Sequence, residues 1–200
     1  MDRREAIKRA AIMVGGSILM PDILKAWNAP MVIENPFFKI TAAQEALIAE
    51  IAETIIPTTS TPGAKAAGVP AFIIKMLADC YEQKVSDNFM NNLTAFDAGC
   101  TTKYGKSFVD LGEAERIESL KAAEKQAILD RDKYKKEAAS WGQSTIEQAQ
   151  PFFSTIKSLT CTGYFTSEIG CTQALRYEAV PGRYDGDASY KKGDKAWADR

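Results

Sequence analysis

The sequence contains no histidine. Histidine is the usual general base near neutral pH and the commonest transition-metal ligand. Its absence excludes Ser-His-Asp and Cys-His nucleophile pairs, histidine-rich zinc sites and histidine-ligated haem. Cysteine is scarce as well: Cys80, Cys100, Cys161 and Cys171 are the only four. No two of them form a Cys-x-x-Cys pair, so zinc ribbons, covalent haem attachment and thioredoxin-type exchange lack their spacing. There is no Gly-x-Gly-x-x-Gly turn and no phosphate loop. No apolar run approaches the roughly 20 residues that span a bilayer comfortably. Charge of one sign is lacking too: 25 Lys and Arg against 26 Asp and Glu leave a net charge of −1. A chain so balanced has no general attraction to nucleic acid.

What is present is ordinary globular material. At 46% hydrophobic and 26% charged residues, the chain can bury a real core. Its 200 residues suit one domain with a short appendage.

The N-terminal segment, 1–27, has the layout of an export signal: a basic stretch with Arg3, Arg4 and Lys8, then an uncharged run from Ala10 to Pro21. Paired arginines followed by Ala6, Ile7 and Lys8 resemble the twin-arginine type, and Gly15 and Gly16 keep the core weakly apolar. Asp2 and Ala6 depart from that pattern, at positions where a hydroxyl and a large apolar residue are usual. The competing reading is an amphipathic N-terminal helix. No Ala-x-Ala cleavage site follows, so the segment could stay attached and lie against a partner or the membrane. The twin-arginine route carries folded cargo, typically proteins holding a cofactor. A chain without evident cofactor chemistry then implies that its signal serves a bound partner.

Residues 28–40 form a linker broken by Pro30 and Pro36. Domain 41–176 reads as helices. Thr41-x-x-Gln44 is a capping box, and Leu47, Ile48, Ile51 and Ile55 make the first apolar face, which Pro57 ends. A Thr-, Pro- and Gly-rich loop leads to Pro70, placed for a first helical turn. The second helix carries Phe72, Ile73, Met76, Leu77 and Cys80 on one stripe. Ser86 or Asp87 is expected to cap the third, with Phe89, Leu93, Phe96 and Cys100 inward. Asp110-x-x-Glu113 is expected to open the fourth, with Ile117 and Leu120 inward and a charged stretch from Glu124 to Glu137 that is solvated or protruding. Ser144-x-x-Glu147 is a further capping box before a fifth helix bearing Phe152, Phe153, Ile156 and Leu159, with Pro151 as its kink or true start. Segment 177–200 is an aromatic, glycine-rich tail without a core of its own, which lies along the domain or waits for a partner. No stretch alternates with period two, so the expected class is all-α: a small, irregular helical bundle with long loops behind a signal or anchor helix.

Three stretches resemble the gluconate 2-dehydrogenase subunit 3 family. The first is Ile55-Ile56-Pro57 with Pro62-Gly63-Ala64 and Ala67-Gly68-Val69; the second is Gly105-Lys106-Ser107-Phe108 with Leu111. The third is Leu159-Thr160-Cys161-Thr162-Gly163-Tyr164-Phe165-Thr166-Ser167-Glu168-Ile169-Gly170, followed by Tyr177 and Pro181-Gly182-Arg183-Tyr184. The resemblance implies a non-catalytic small subunit that escorts, matures and braces a large glucose-methanol-choline-type flavoprotein. In that reading FAD sits in the partner and this chain holds no cofactor or metal. A cytochrome c subunit can take the electrons onward, and the complex is periplasmic.

Within the third stretch, Gly163, Tyr164, Phe165, Ser167 and Glu168, together with Tyr184, are candidates for the partner interface, since aromatics beside small polar residues suit an interface centre. The competing reading is internal: Tyr164 and Phe165 pack a helix end while Ser167 and Glu168 cap it. Cys80 and Cys100 sit on apolar stripes and are expected to be buried thiols. Cys161 could pair with Cys171 in an oxidising compartment, or with a cysteine of the partner. Two other functions compete. One is an enzyme using Glu50 and Glu53, which share what reads as the solvent face of the first helix. The other is a stand-alone periplasmic binding or scaffold protein using the aromatic tail.

Overall fold

The computed structural model describes residues 38–138, 150–180, 182, 187, 189 and 191–198, without the side chains of 132, 134, 135, 137 and 138. All belong to one compact unit, Asn35–Arg200. The export motif with Arg3, Arg4 and Lys8, most of the linker, the Ser144-x-x-Glu147 box and Tyr184 lie outside the described residues.

Helix α1, Ala42–Ile55, starts as its capping box dictates. Thr41 Oγ1 accepts from Gln44 N at 3.3 Å, while Gln44 Oε1 accepts from Thr41 N at 3.0 Å. Leu47, Ile48, Ile51 and Ala52 are its buried face. Pro57 disfavours a helical Ile56, and the helix ends there. The loop that follows closes on Gly68, whose φ of 72° is left-handed backbone; glycine adopts it without cost. Helix α2, Val69–Asp79, begins directly afterwards with its proline in the first turn and buries Val69, Ile73 and Leu77.

Helix α3 runs Gln83–Tyr104 with Glu82 at its N-cap, earlier than a Ser86 or Asp87 cap would place it. The reason lies in Ser86, whose buried hydroxyl donates to Leu77 O at 2.6 Å and so satisfies the end of α2 instead. Gly105, at φ 74°, terminates α3. A 3₁₀ turn, Phe108–Asp110, precedes helix α4, Glu113–Ala138. Asp110 is part of that turn; the cap contact comes from Glu115, whose carboxylate accepts from Gly112 N at 3.0 Å. The inward arc of α4 holds Arg116, Ser119, Leu120, Ala123 and Ala127. Ile117 is turned about 100° from Arg116 and stays 37% exposed, contrary to the inward position its hydrophobicity suggests. The charged second half of α4 leaves Ile128 and Leu129 exposed, yet Glu124 is tied to the fifth helix by Lys157 Nζ at 2.6 Å.

Helix α5, Phe152–Thr166, has Pro151 as its N-cap, so the proline marks the true start. It packs against α1, α2, α3 and α4 and carries Phe153, Ile156, Leu159 and Tyr164 into the core. A run of tilted rings joins it to its neighbours: Phe89 to Phe152 at 5.2 Å, Phe152 to Phe96 at 5.6 Å, Phe96 to Phe108 at 5.3 Å. Such pairs add about 0.5–1.5 kcal/mol each beyond burial. A π-helical turn, Gly170–Ala174, follows. Among the described residues the backbone pairing outside helices and turns is one isolated bridge, Arg176 to Trp197. The architecture is all-α. No helix among the described residues is long and apolar enough to cross a membrane.

Candidate functional site

The loop between α1 and α2 is held from beneath by α1. Glu53 Oε1 accepts from Thr58 N at 3.0 Å and Thr58 Oγ1 at 2.8 Å, and its Oε2 accepts from Lys65 N at 2.8 Å. The loop backbone passes so close that a Cβ on Gly63 would stand 2.2 Å from Glu53 Oε1. Gly63 N completes the turn by donating to Thr58 Oγ1 at 3.0 Å. One turn of α1 earlier, Glu50 takes Lys65 Nζ on Oε1 and Arg116 Nη1 on Oε2, both at 2.6 Å. The two carboxylates that read as a solvent face are therefore structural anchors. Their fellow bonding groups come from a loop and from α4, elements no helical periodicity places beside α1.

Arg116 extends the clasp. Its other amino group donates to Val109 O, and its guanidinium lies 5.7 Å from the centroid of the buried Phe108 ring. The 3₁₀ turn is fixed from α3 as well, since Asp97 Oδ1 accepts from Ser107 Oγ and Phe108 N, each at 2.8 Å. From the opposite side Tyr164, only 2% exposed, donates its hydroxyl to Pro62 O at 2.8 Å. The three stretches singled out in the sequence thus meet: Tyr164 of the third holds the loop of the first, and Glu50 and Arg116 join that loop to the second.

Electrostatics follow from these contacts. Partial burial pushes the Glu50 carboxyl up, but bonds and charges from Lys65 and Arg116 outweigh it, and its pKa lies below the ordinary carboxylate value. Glu53 behaves likewise: burial raises it, and the bonds from Lys65 N, Thr58 Oγ1 and Thr58 N outweigh that and leave it below the ordinary value. Both carboxylates are held ionised, as acceptors.

The third stretch turns a sharp corner. A Cβ on Gly163 would meet Phe72 Cδ1 at 2.6 Å, and one on Gly170 would meet Tyr164 O at 1.8 Å. Ser167 Oγ donates to Tyr164 O at 2.7 Å and accepts from Gly170 N at 3.0 Å, and Cys171 N donates to Ser167 O at 2.9 Å. Gly163, Tyr164 and Ser167 thus carry internal duties, while Phe165 and Glu168 remain exposed. Phe165 packs edge-on to Tyr164, with centroids 5.3 Å apart.

All four thiols are free. Cys100 is buried as expected, and burial raises its pKa. Cys80 is exposed instead: α2 ends at Asp79, so the apolar stripe stops one residue before it. Cys161 and Cys171 are half-buried and unbridged; Cys171 Sγ donates to Phe165 O at 3.0 Å. Among the described residues no group of three or more Cys, Asp and Glu side chains is placed to hold a metal ion.

Fold and clasp define a small all-α domain organised around one anchored loop. Residues 42–182 match the family model described as gluconate 2-dehydrogenase subunit 3, and the chain belongs to that family. The family's description makes its members one subunit of a dehydrogenase complex. No curated protein and no solved structure matches the chain.

Proposed function

We propose that this chain is the non-catalytic small subunit of a periplasmic, flavin-dependent sugar dehydrogenase. It acts as export escort, maturation factor and structural partner of a large glucose-methanol-choline-type flavoprotein. FAD and the reacting sugar belong to that partner, and a cytochrome c subunit is a further candidate member of the complex. Phe165 at the end of α5 and Glu168 just beyond it are exposed and are the candidates for contact with another subunit.

The observation that carries the reading is what Glu50, Glu53 and Tyr164 bond to. Family membership supplies the complex, and the paired carboxylates of α1, the catalytic candidates of the competing enzyme reading, are engaged in holding a loop. Glu50 accepts from Lys65 and Arg116, Glu53 accepts from Thr58 and Lys65, and the Tyr164 hydroxyl is donated to Pro62 O. A carboxylate so bonded gives up its acceptor role only at the expense of the loop it holds. The sequence around Arg3, Arg4 and Lys8 supports export on behalf of a bound partner.

Deleting residues 2–20 in the native host tests this. The expected result is flavoprotein retained in the cytoplasm with its FAD bound. Normal export of the flavoprotein beside the truncated chain would overturn the escort role.

A further inference from the structure

The C-terminal segment doubles back onto the helical body at one residue. Arg176 donates its N–H to Ala196 O at 2.7 Å, and its carbonyl accepts from Ala198 N at 2.9 Å. Its guanidinium lies over the Trp197 indole, 3.9 Å from the ring centroid. Lys195 Nζ donates to Gln173 O, at the end of the π-helical turn. A turn braces the segment from upstream: Lys191 N donates to Asp194 Oδ2 at 2.7 Å, and Asp194 N donates to Lys191 O at 3.0 Å.

These ties differ in kind from those of the clasp. None of residues 191–198 contributes to the hydrophobic core. Arg176 is exposed and Trp197 keeps 46% of its surface in water. Among the described residues the bridge stands alone, with no second strand to share its ladder. Segments with few buried apolar contacts and exposed backbone bonds open at a small fraction of the global unfolding free energy. Cation–π stacking at an exposed site is strong enough to favour closure and too weak to enforce it.

We propose that residues 191–198 form a latch that opens and closes on Arg176 without unfolding the helical body. Closure hides the N–H and C=O of Arg176 and covers one face of the indole. Opening releases both together, together with Gln173 O, so that a backbone edge and an aromatic surface become available at once. The latch rests on contacts within this chain and does not depend on the family reading.

The test uses the full chain with Trp27→Phe and Trp141→Phe, which leaves Trp197 as the sole indole of the three. Trp197 emission and far-UV circular dichroism are followed in one urea titration. The red shift of Trp197 is expected at less than about half the urea concentration that melts the helices. Arg176→Ala should give the open-state emission without denaturant and leave the helical midpoint unchanged. Coincident transitions, or a helical midpoint that falls with Arg176→Ala, would overturn the latch. Native-state amide exchange on the unsubstituted chain gives an independent reading. Arg176 and Ala198 should exchange at least about 100-fold faster than the central amides of α5; equal protection would contradict the proposal.

Discussion

Three glycines show how differently one residue type is used in this chain. Gly170 has the backbone carbonyl of Tyr164 where a Cβ would go, and Gly163 has the edge of the Phe72 ring. Gly68 has open space around it but a left-handed φ of 72°. A backbone carbonyl at 1.8 Å can retreat only by moving the corner between α5 and the π-helical turn, whereas a half-buried ring can tilt. Alanine substitutions are therefore expected to rank in cost. Gly170→Ala should exceed about 3 kcal/mol, Gly163→Ala should cost about 1–3 kcal/mol, and Gly68→Ala about 1–2 kcal/mol. Urea midpoints of the three variants check the order, and a Gly170→Ala chain as stable as Gly68→Ala would refute it. The sequence places Gly68 only in a Thr-, Pro- and Gly-rich loop before Pro70, without its left-handed φ. The other two depend on neighbours brought in from α2 and from the far side of a turn.

At the scale of elements, the clasp around the α1–α2 loop makes a pH prediction. Glu50 and Glu53 titrate lower in the folded chain than in the unfolded one. Acidification therefore loads protons onto the unfolded chain first, and stability declines as pH falls from about 4 through the depressed folded values. Above that window the contribution is complete. The Glu50→Gln, Glu53→Gln double variant should lose about 2–3 kcal/mol near neutrality, since partly buried, multiply bonded carboxylates stand between surface and buried ion pairs in worth. It should also show a shallower decline toward pH 3. Denaturant midpoints at pH 7 and pH 3 for both chains measure this; parallel pH profiles would show that the two carboxylates do not hold the loop.

Helices were legible where local chemistry decides them. The Thr41 and Gln44 box, Pro70 in a first turn and the stripes of α1, α2 and α5 all reappear in the structure. Starts failed where a tertiary contact claimed the capping group, as Leu77 O does for the Ser86 hydroxyl. The clasp was illegible for a related reason. Glu50 and Glu53 look like any polar face until Lys65 and Arg116 are folded against them. The one hint is indirect: a Thr58 and Gly63 pair in a tight loop just after a carboxylate-bearing turn. Cys80 shows the converse error, in which a stripe was extended one residue past the end of its helix.

At the scale of the whole molecule, Glu50, Glu53, Lys65, Arg116 and Tyr164 join α1, α4, α5 and the α1–α2 loop. Family membership supplies the setting, a dehydrogenase complex of which this chain is one subunit. Among the described residues the large apolar side chains left exposed are Ile117, Ile128 and Leu129 on α4, Phe165 at the end of α5, and Tyr177, Val180 and Trp197 beyond it. Of these, Phe165 belongs to the proposed contact with another subunit. The most direct measurement is sugar-dependent dye reduction by the purified full chain, by the flavoprotein purified with it, and by the two recombined. The account predicts no turnover from the chain alone and flavin-dependent turnover only where the flavoprotein is present. Sugar oxidation by the isolated chain would contradict it.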